Sequence, residues 1–220
     1  MSNRKAVVLL SGGLDSATTL YFAKSKHFVC HCLIFNYGQR HNKEVEAAKK
    51  LAKSAGCDFK QVSISLPWKG SSLLDKSACL PVEGFKKRSV PSTYVPARNT
   101  IFLSFALSYA EAIGARDIFI GANAIDYSGY PDCRPLYYKA FNKLSSLATK
   151  AGIEGREIKI HAPLIRMKKS AIIKLGTKLG VPYGLSWSCY QGKNRPCGKC
   201  DSCVLRAIGF KEAGLKDPAL

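Results

Sequence analysis

The strongest constraint in this chain is its alternation between two hydrophobic periods. AVVLL (6–10), FVCHCLIFNY (28–37), FKQVSIS (59–65) and DIFIGA (117–122) read as strands, and apolar residues recur at helical spacing over 16–26, 43–55 and 99–113. Strands that are almost wholly apolar need cover on both faces, and parallel neighbours need right-handed crossovers that put helices there. The expected fold class is therefore α/β, a doubly wound parallel sheet. Gly56 and Gly114 stand just beyond two helix ends, where a left-handed cap is wanted. A helix over 136–151, a short strand ending near 162 and a helix over 169–179 complete the pattern. Sheets of this kind bind ligands beyond the carboxyl ends of their strands, near the point where strand order reverses.

SGGLDSATTL (11–20) occupies that position after the first strand. Gly12 and Gly13 can take positive φ and let backbone N–H groups converge, and Asp15 or Ser16 suits the cap of the next helix. Converging donors at a helix N-terminus make an anion site. Spacing alone leaves a plain strand-to-helix turn equally open. The GxxxxGK[ST] loop and the GxGxxG fingerprint are both absent, so any nucleotide loop here is of another kind.

Three further stretches carry candidate recognition groups. The segment 66–95 lacks periodicity and is expected to be a mobile cover over the site. NAIDYSGYPDCRP (123–135) offers Asn123, Asp126, Asp132 and Arg134 among Tyr127 and Tyr130, a set able to stack a planar base and accept from a guanine-like edge. Tyr37 and Arg40 in FNYGQRH, and Arg98 and Asn99 in YVPARN, could meet phosphate or carboxylate oxygens. Either loop read alone is also consistent with a solvated surface.

A chain of 220 residues, 46% hydrophobic and 22% charged, buries roughly 70% or more of its unfolded surface and needs no covalent staples. Its nine cysteines are an odd number. No cleavage pattern follows MSNRK and no run approaches the ~20 apolar residues of a membrane span. A cytoplasmic protein without a disulfide framework is expected. Cys189, Cys197, Cys200 and Cys203 follow a Cys-x7-Cys-x2-Cys-x2-Cys pattern that matches closed tetrahedral zinc, with a redox pair or an iron–sulfur cluster as alternatives. Cys30 and Cys32 alternate in a strand and should be buried together; Cys57, Cys79 and Cys133 stand apart, and His31 is not taken as a ligand. The net charge of +19 is spread along the chain, with short clusters at 86–88 and 168–169, and suits nucleotides, small acids or RNA.

SGGLDS after the first strand resembles the pyrophosphate loop of the ATP pyrophosphatase superfamily. With FNYGQRH, YVPARN, GANAIDYSGYPDCRP, PLIRMKK, WSCYQG and PCGKCDSC in order, the chain from 7 to 210 resembles the 7-cyano-7-deazaguanine synthase family. The resemblance implies an adenine nucleotide alpha hydrolase-like (HUP) domain over 1–182, with a zinc-binding tail over 183–220 packed on it. It implies ATP-dependent conversion of a deazaguanine carboxylate and ammonia to a nitrile, on the way to queuosine-type tRNA bases, by a homodimer that does not take nucleic acid as its direct substrate. Residue by residue, Leu10, Ser11, Gly12, Gly13, Leu14, Asp15 and Ser16 would bind ATP, with Asp15 holding Mg2+. Lys169, with Lys168 as second choice, would reach the phosphates. Tyr37, Arg40, Arg98, Asn99, Asn123, Asp126, Tyr130 and Asp132 would face the substrate, Asp126 or Asp132 serving as proton acceptor for ammonium, and the four clustered cysteines would hold structural Zn2+. Two positions depart from the family pattern: Ala97 stands where glycine is usual and Ala171 where glutamate is expected. A tRNA-modifying sulfur transferase of the same superfamily and a non-enzymatic, zinc-stabilised nucleic-acid-binding module remain alternatives.

Overall fold

The computed structural model describes residues 4–68, 70–75, 77–78, 90–123, 129–192 and 194–219. Cys79, Asp126, Tyr127 and the basic cluster at 86–88 lie outside the described residues. Five strands, β1 (Lys5–Leu9), β2 (Val29–Asn36), β3 (Asp58–Ser63), β4 (Asp117–Ile120) and β5 (Lys159–His161), form one sheet in the order β3-β2-β1-β4-β5. Every pairing is parallel. The strand order reverses at β1, between β2 and β4, so the chain leaves β1 at the switch point.

Alternation along β1 builds both halves of the core. Ala6, Val8 and Leu10 pack with Leu14, Ala17 and Leu20 of α1 (Leu14–Ser25), Val45, Ala48 and Leu51 of α2 (Lys43–Ser54), and Ile172 and Ile173 of α6 (Lys169–Lys178). Val7 and Leu9 pack on the other face with Leu103, Ala106 and Ala110 of α3 (Arg98–Ile113) and Tyr138 and Phe141 of α4 (Pro135–Ala148). A side chain of this kind contributes about 1.5–3 kcal/mol when fully buried, which is why β1 has no polar face. Cys30 and Cys32 are both buried on the α1/α2 side, with Cys57 packed beside them.

The expected helix over 136–151 is in fact two. The chain turns extended at Thr149 (φ −123°, ψ 150°), whose hydroxyl accepts from Gly152 N–H at 2.9 Å and caps α5 (Lys150–Ile153). The tail holds a helix that periodicity did not announce, α7 (Asp201–Ala213). Its inward positions are Cys203, Arg206, Gly209 and Phe210, a helical spacing occupied by only one large apolar residue. Gly209 is required there, since a Cβ would sit 2.4 Å from Lys169 Cγ.

The double glycine divides its tasks. Gly12 has φ +87°, and a Cβ on it would lie 2.2 Å from the Glu44 carbonyl of α2. Gly13 is extended at φ −80° and is itself the N-cap of α1. The cap is therefore neither Asp15 nor Ser16, which lie within the first turn. Gly12→Ala should cost at least the ~1–2 kcal/mol of a left-handed residue and more from the clash. Gly13→Ala should leave stability unchanged or slightly raised, and denaturant midpoints of the two variants check the contrast.

Ala97 is held at φ +52° immediately before α3. A residue with a Cβ is strained in this region, so the position whose glycine is missing is one that favours glycine. Ala97→Gly should raise stability by up to ~1 kcal/mol, the relief being partly offset by glycine's freer unfolded chain. Thermal unfolding of the variant beside the wild type measures it.

Candidate active site

Two adjoining cavities open beyond the carboxyl ends of β1, β2 and β4, one of about 280 Å3 and one of about 170 Å3. They share Ser11, Asp15, Ser16, Glu44, Gly121 and Tyr190. The larger is walled by Leu33, Phe35, Tyr37 and Phe102, and the Phe35 and Phe102 rings stack at 4.0 Å. The smaller is polar, with Gly13, Lys169, Ser188, Ser202 and Arg206 on its surface.

The loop after β1 is organised by Ser16. Its hydroxyl donates to the Gly13 carbonyl at 3.0 Å and meets the Ser11 N–H and hydroxyl at 3.2 and 3.0 Å. Leu10, Ser11, Asp15 and Ser16 face the larger cavity, while Gly13 and Leu14 face the smaller one. Gly12 lines neither cavity; it is packed on α2. Gly121 brings the end of β4 against the start of α1, where a Cβ would lie 2.8 Å from Ser16 N.

Lys169, at the first turn of α6, spans the site to Asp15. Its ammonium donates to both carboxylate oxygens, at 2.8 and 2.7 Å. The neighbouring Lys168 is exposed and lines neither cavity. The geometry separates two lysines that adjacency in sequence could not.

Tyr37, Arg40, Arg98, Asn99, Asn123 and Tyr130 all line the larger cavity. Arg40 is already engaged: it donates to the carbonyls of Ser72, Asp75 and Ala78. The described flanks of the 66–95 segment are thereby tied down, Ser72 N–H bonds the Ser92 carbonyl at 2.8 Å, and Leu73 reaches the cavity wall. Asn123 donates to the Met167 carbonyl at 2.7 Å, and Tyr130 shares a 2.6 Å hydroxyl contact with Thr93.

Asp132 departs from its expected place. It is buried, lines neither cavity, and its carboxylate accepts from the Asn99 N–H at 3.1 Å. Ala97 has no side-chain oxygen to cap α3, and Asp132 supplies one from across the fold. Asn99 answers by donating to the Asp132 carbonyl at 3.1 Å and to Cys133 Sγ at 3.4 Å. Burial pushes the Cys133 thiol up to about 12, the direction that disfavours the thiolate.

Glu44 was not among the sequence candidates. In KEVEAAKKLAKS it looks like an ordinary first-turn acid, favourable to the helix dipole. The fold instead points it into both cavities. Burial raises its carboxyl to about 7, and Arg98 opposes that rise.

The four tail cysteines converge. Their sulfurs all lie within 4.8 Å of one another, and main-chain N–H groups of Gln191, Cys197, Lys199 and Cys200 point at Cys189 and Cys197 Sγ at 3.3–3.5 Å. Such a set could hold a metal ion. It is fastened to the loop after β1, because Trp187 N–H donates to the Gly12 carbonyl at 2.9 Å and His41 Nε2 meets the Cys189 carbonyl at 3.0 Å. No described helix is long and apolar enough to cross a membrane.

A profile of the family described as "Queuosine biosynthesis protein QueC" matches residues 5–214. A protein named 7-cyano-7-deazaguanine synthase from Dechloromonas aromatica (strain RCB) is 55% identical over 221 residues, 99% of this chain and 98% of its own. One of the same name from Nitrosococcus oceani is 53% identical over 222 residues, 99% of this chain and 98% of its own. Among solved structures, an NMN synthetase from Francisella tularensis superposes with a TM-score of 0.51 at 16% identity, covering 98% of this chain and 79% of that one, a likeness of fold. With the pyrophosphate-type loop, the opposed lysine and the tail cysteines in place, this chain belongs to the 7-cyano-7-deazaguanine synthase family.

Proposed function

We propose that this protein is an ATP-dependent carbon–nitrogen ligase that converts 7-carboxy-7-deazaguanine and ammonia to 7-cyano-7-deazaguanine, in queuosine-type tRNA base biosynthesis. The observation that carries this reading is the Asp15–Lys169 pair standing where an aromatic-walled cavity meets a small polar one. Planar rings suit the first and departing pyrophosphate suits the second.

A carboxylate is ionised at neutral pH, so its attack on the ATP α-phosphate needs alignment and charge neutralisation more than a base. Acyl-adenylate and pyrophosphate result. Ammonia displaces AMP to give the amide, a second ATP activates the amide oxygen, and loss of AMP leaves the nitrile. In this scheme Ser11, Gly13 and Ser16 donate to the pyrophosphate and the Lys169 ammonium neutralises it. Tyr37, Arg98, Asn99, Asn123 and Tyr130 position the substrate, while Arg40 and Asp132 act by holding the walls. Asp15 offers hard oxygen donors in both cavities and would hold Mg2+, which screens phosphate charge when bound.

The tail cysteines fit structural Zn2+: four sulfurs leave no open position, and N–H groups aimed at sulfur favour thiolate. The reading includes the homodimer, the cytoplasmic location and the small-molecule rather than nucleic-acid substrate.

Mixing the protein with ATP, ammonium and the carboxylated deazaguanine should release pyrophosphate and yield a product with the nitrile mass. ATP cleavage that depends on tRNA instead would favour the sulfur-transferase reading. Lys169→Met should lower turnover about a hundred- to a thousandfold, the usual loss for a well-placed donor to developing charge, in protein that still folds; Asp15→Asn should lower it too, by removing the carboxylate that holds Lys169 and would hold Mg2+. Elemental analysis of protein purified without chelator should find one zinc per chain, and stripping it should lower the unfolding temperature; iron, or no metal, refutes the assignment.

A further inference from the structure

We propose that Glu44 is the general base that takes the proton from ammonium as its nitrogen attacks the adenylated carboxyl carbon. The inference rests on the ligase reading and adds to it the group that makes ammonium a nucleophile. Ammonium, like a lysine side chain, is almost wholly protonated at neutral pH and has no lone pair to attack with until a proton leaves.

Three acids were open to this role on sequence or structural grounds among the described residues of the site. Asp15 gives both oxygens to Lys169 and would give them to Mg2+ when that ion is bound, so its carboxylate is committed to cations in either state. Asp132 is buried against the start of α3, where it accepts from Asn99 N–H, and it lines neither cavity. Glu44 remains, on the wall common to both cavities and therefore between the phosphate side and the aromatic side. Its carboxylate makes no hydrogen bond or ion pair with a described residue, which leaves its oxygens to the cavity.

The groups that share these walls with Glu44 come from every neighbouring element: Asp15 of α1, Tyr37, Arg40 and His41 between β2 and α2, Arg98 of α3, Tyr130 and Cys133 ahead of α4, Lys169 of α6, Tyr190 of the tail and Arg206 of α7, which is paired with Asp217. Asp15 and Lys169 neutralise one another. Burial lowers the His41 proton affinity, and its Nε2 is occupied by the Cys189 carbonyl. Arg98 is the cation that acts on Glu44, and it only partly offsets burial, leaving the carboxyl at about 7. A base of that strength is ionised in half or more of the molecules at neutral pH and still accepts a proton readily.

In the step itself a bond forms from nitrogen to the acyl carbon, and the bond from that carbon to the adenylate oxygen breaks. AMP leaves with the electron pair, and two protons leave the nitrogen in all: the first goes to the Glu44 carboxylate and on to water as ammonium becomes a nucleophile, and the second is lost to water from the newly bonded nitrogen as AMP departs.

The test compares wild type, Glu44→Gln and Glu44→Asp in two separated steps: pyrophosphate release with ATP and the carboxylated deazaguanine alone, then product formation on adding either ammonium or hydroxylamine. Hydroxylamine is neutral at neutral pH and needs no proton acceptor before attack. Glu44→Gln should lose about a hundred- to ten-thousandfold in the ammonium step, far more than in pyrophosphate release or in the hydroxylamine step. Glu44→Asp should recover part of the ammonium rate. The deprotonated carboxylate is the working form, so at fixed total ammonium the wild-type rate should rise with pH and level off above about pH 7, whereas the residual Glu44→Gln rate should follow free ammonia and show no levelling there. Equal losses with both nucleophiles, an unchanged ammonium step, a levelling above about pH 7 that persists in Glu44→Gln, or no recovery in Glu44→Asp would overturn the assignment. Wild-type protein that releases no pyrophosphate with the carboxylate overturns the ligase reading beneath it, a result distinct from any failure of the variants.

Discussion

The close approach of Gly12 to α2 sets the geometry on which the site depends. A residue at φ +87° with the Glu44 carbonyl 2.2 Å from where a Cβ would be has no freedom to move, and its own carbonyl is held by Trp187 N–H at 2.9 Å. One glycine thus fixes three things together: the path of the loop after β1, the position of the α2 turn that carries Glu44, and the point where the metal-binding tail is attached. Ser16 then ties the loop to itself through Ser11 and Gly13. The loop is held in one shape by its own hydrogen bonds before any ligand arrives.

The second half of the site is brought in from far along the chain. Lys169 lies 154 residues from Asp15, and its placement depends on α6, which is backed by α7 through Gly209. The end of the tail is pinned in turn by the Arg206–Asp217 pair, at 2.6 and 2.8 Å, with Ser186 and the Tyr183 carbonyl satisfying the remaining guanidinium donors. Removing one partner of a buried pair of this kind typically costs ~3–5 kcal/mol. The four-cysteine cluster, α7 and the Asp217 clasp therefore form one support behind a single ammonium group.

Much of this was legible in the residues. Strands apolar on both faces announced a parallel sheet, and Gly56 and Gly114 do adopt positive φ beyond their helices, at +62° and +70°. The cysteine spacing located four thiols that the fold brings together and that could hold a metal. What escaped detection shares one property: its signal is not periodic. α7 presents cysteine, arginine and glycine to the interior, so a hydrophobic pattern does not see it. Thr149 breaks a helix through one hydroxyl. Asp132 reads as a substrate-facing loop acid, yet it caps α3 from across the fold because Ala97 cannot.

The sequence by itself determined the layer architecture, the position of the glycine-rich loop after β1 and the set of thiols that could hold a metal, because these follow from local period and fixed spacing. Only the tertiary structure decided which of two adjacent lysines reaches Asp15, that Asp132 supports rather than faces the cavity, and that Glu44 lines it. Those outcomes depend on burial and on partners more than thirty residues away. A carboxylate on an amphipathic helix looks the same in sequence whether it ends in water or in a cavity that raises its proton affinity.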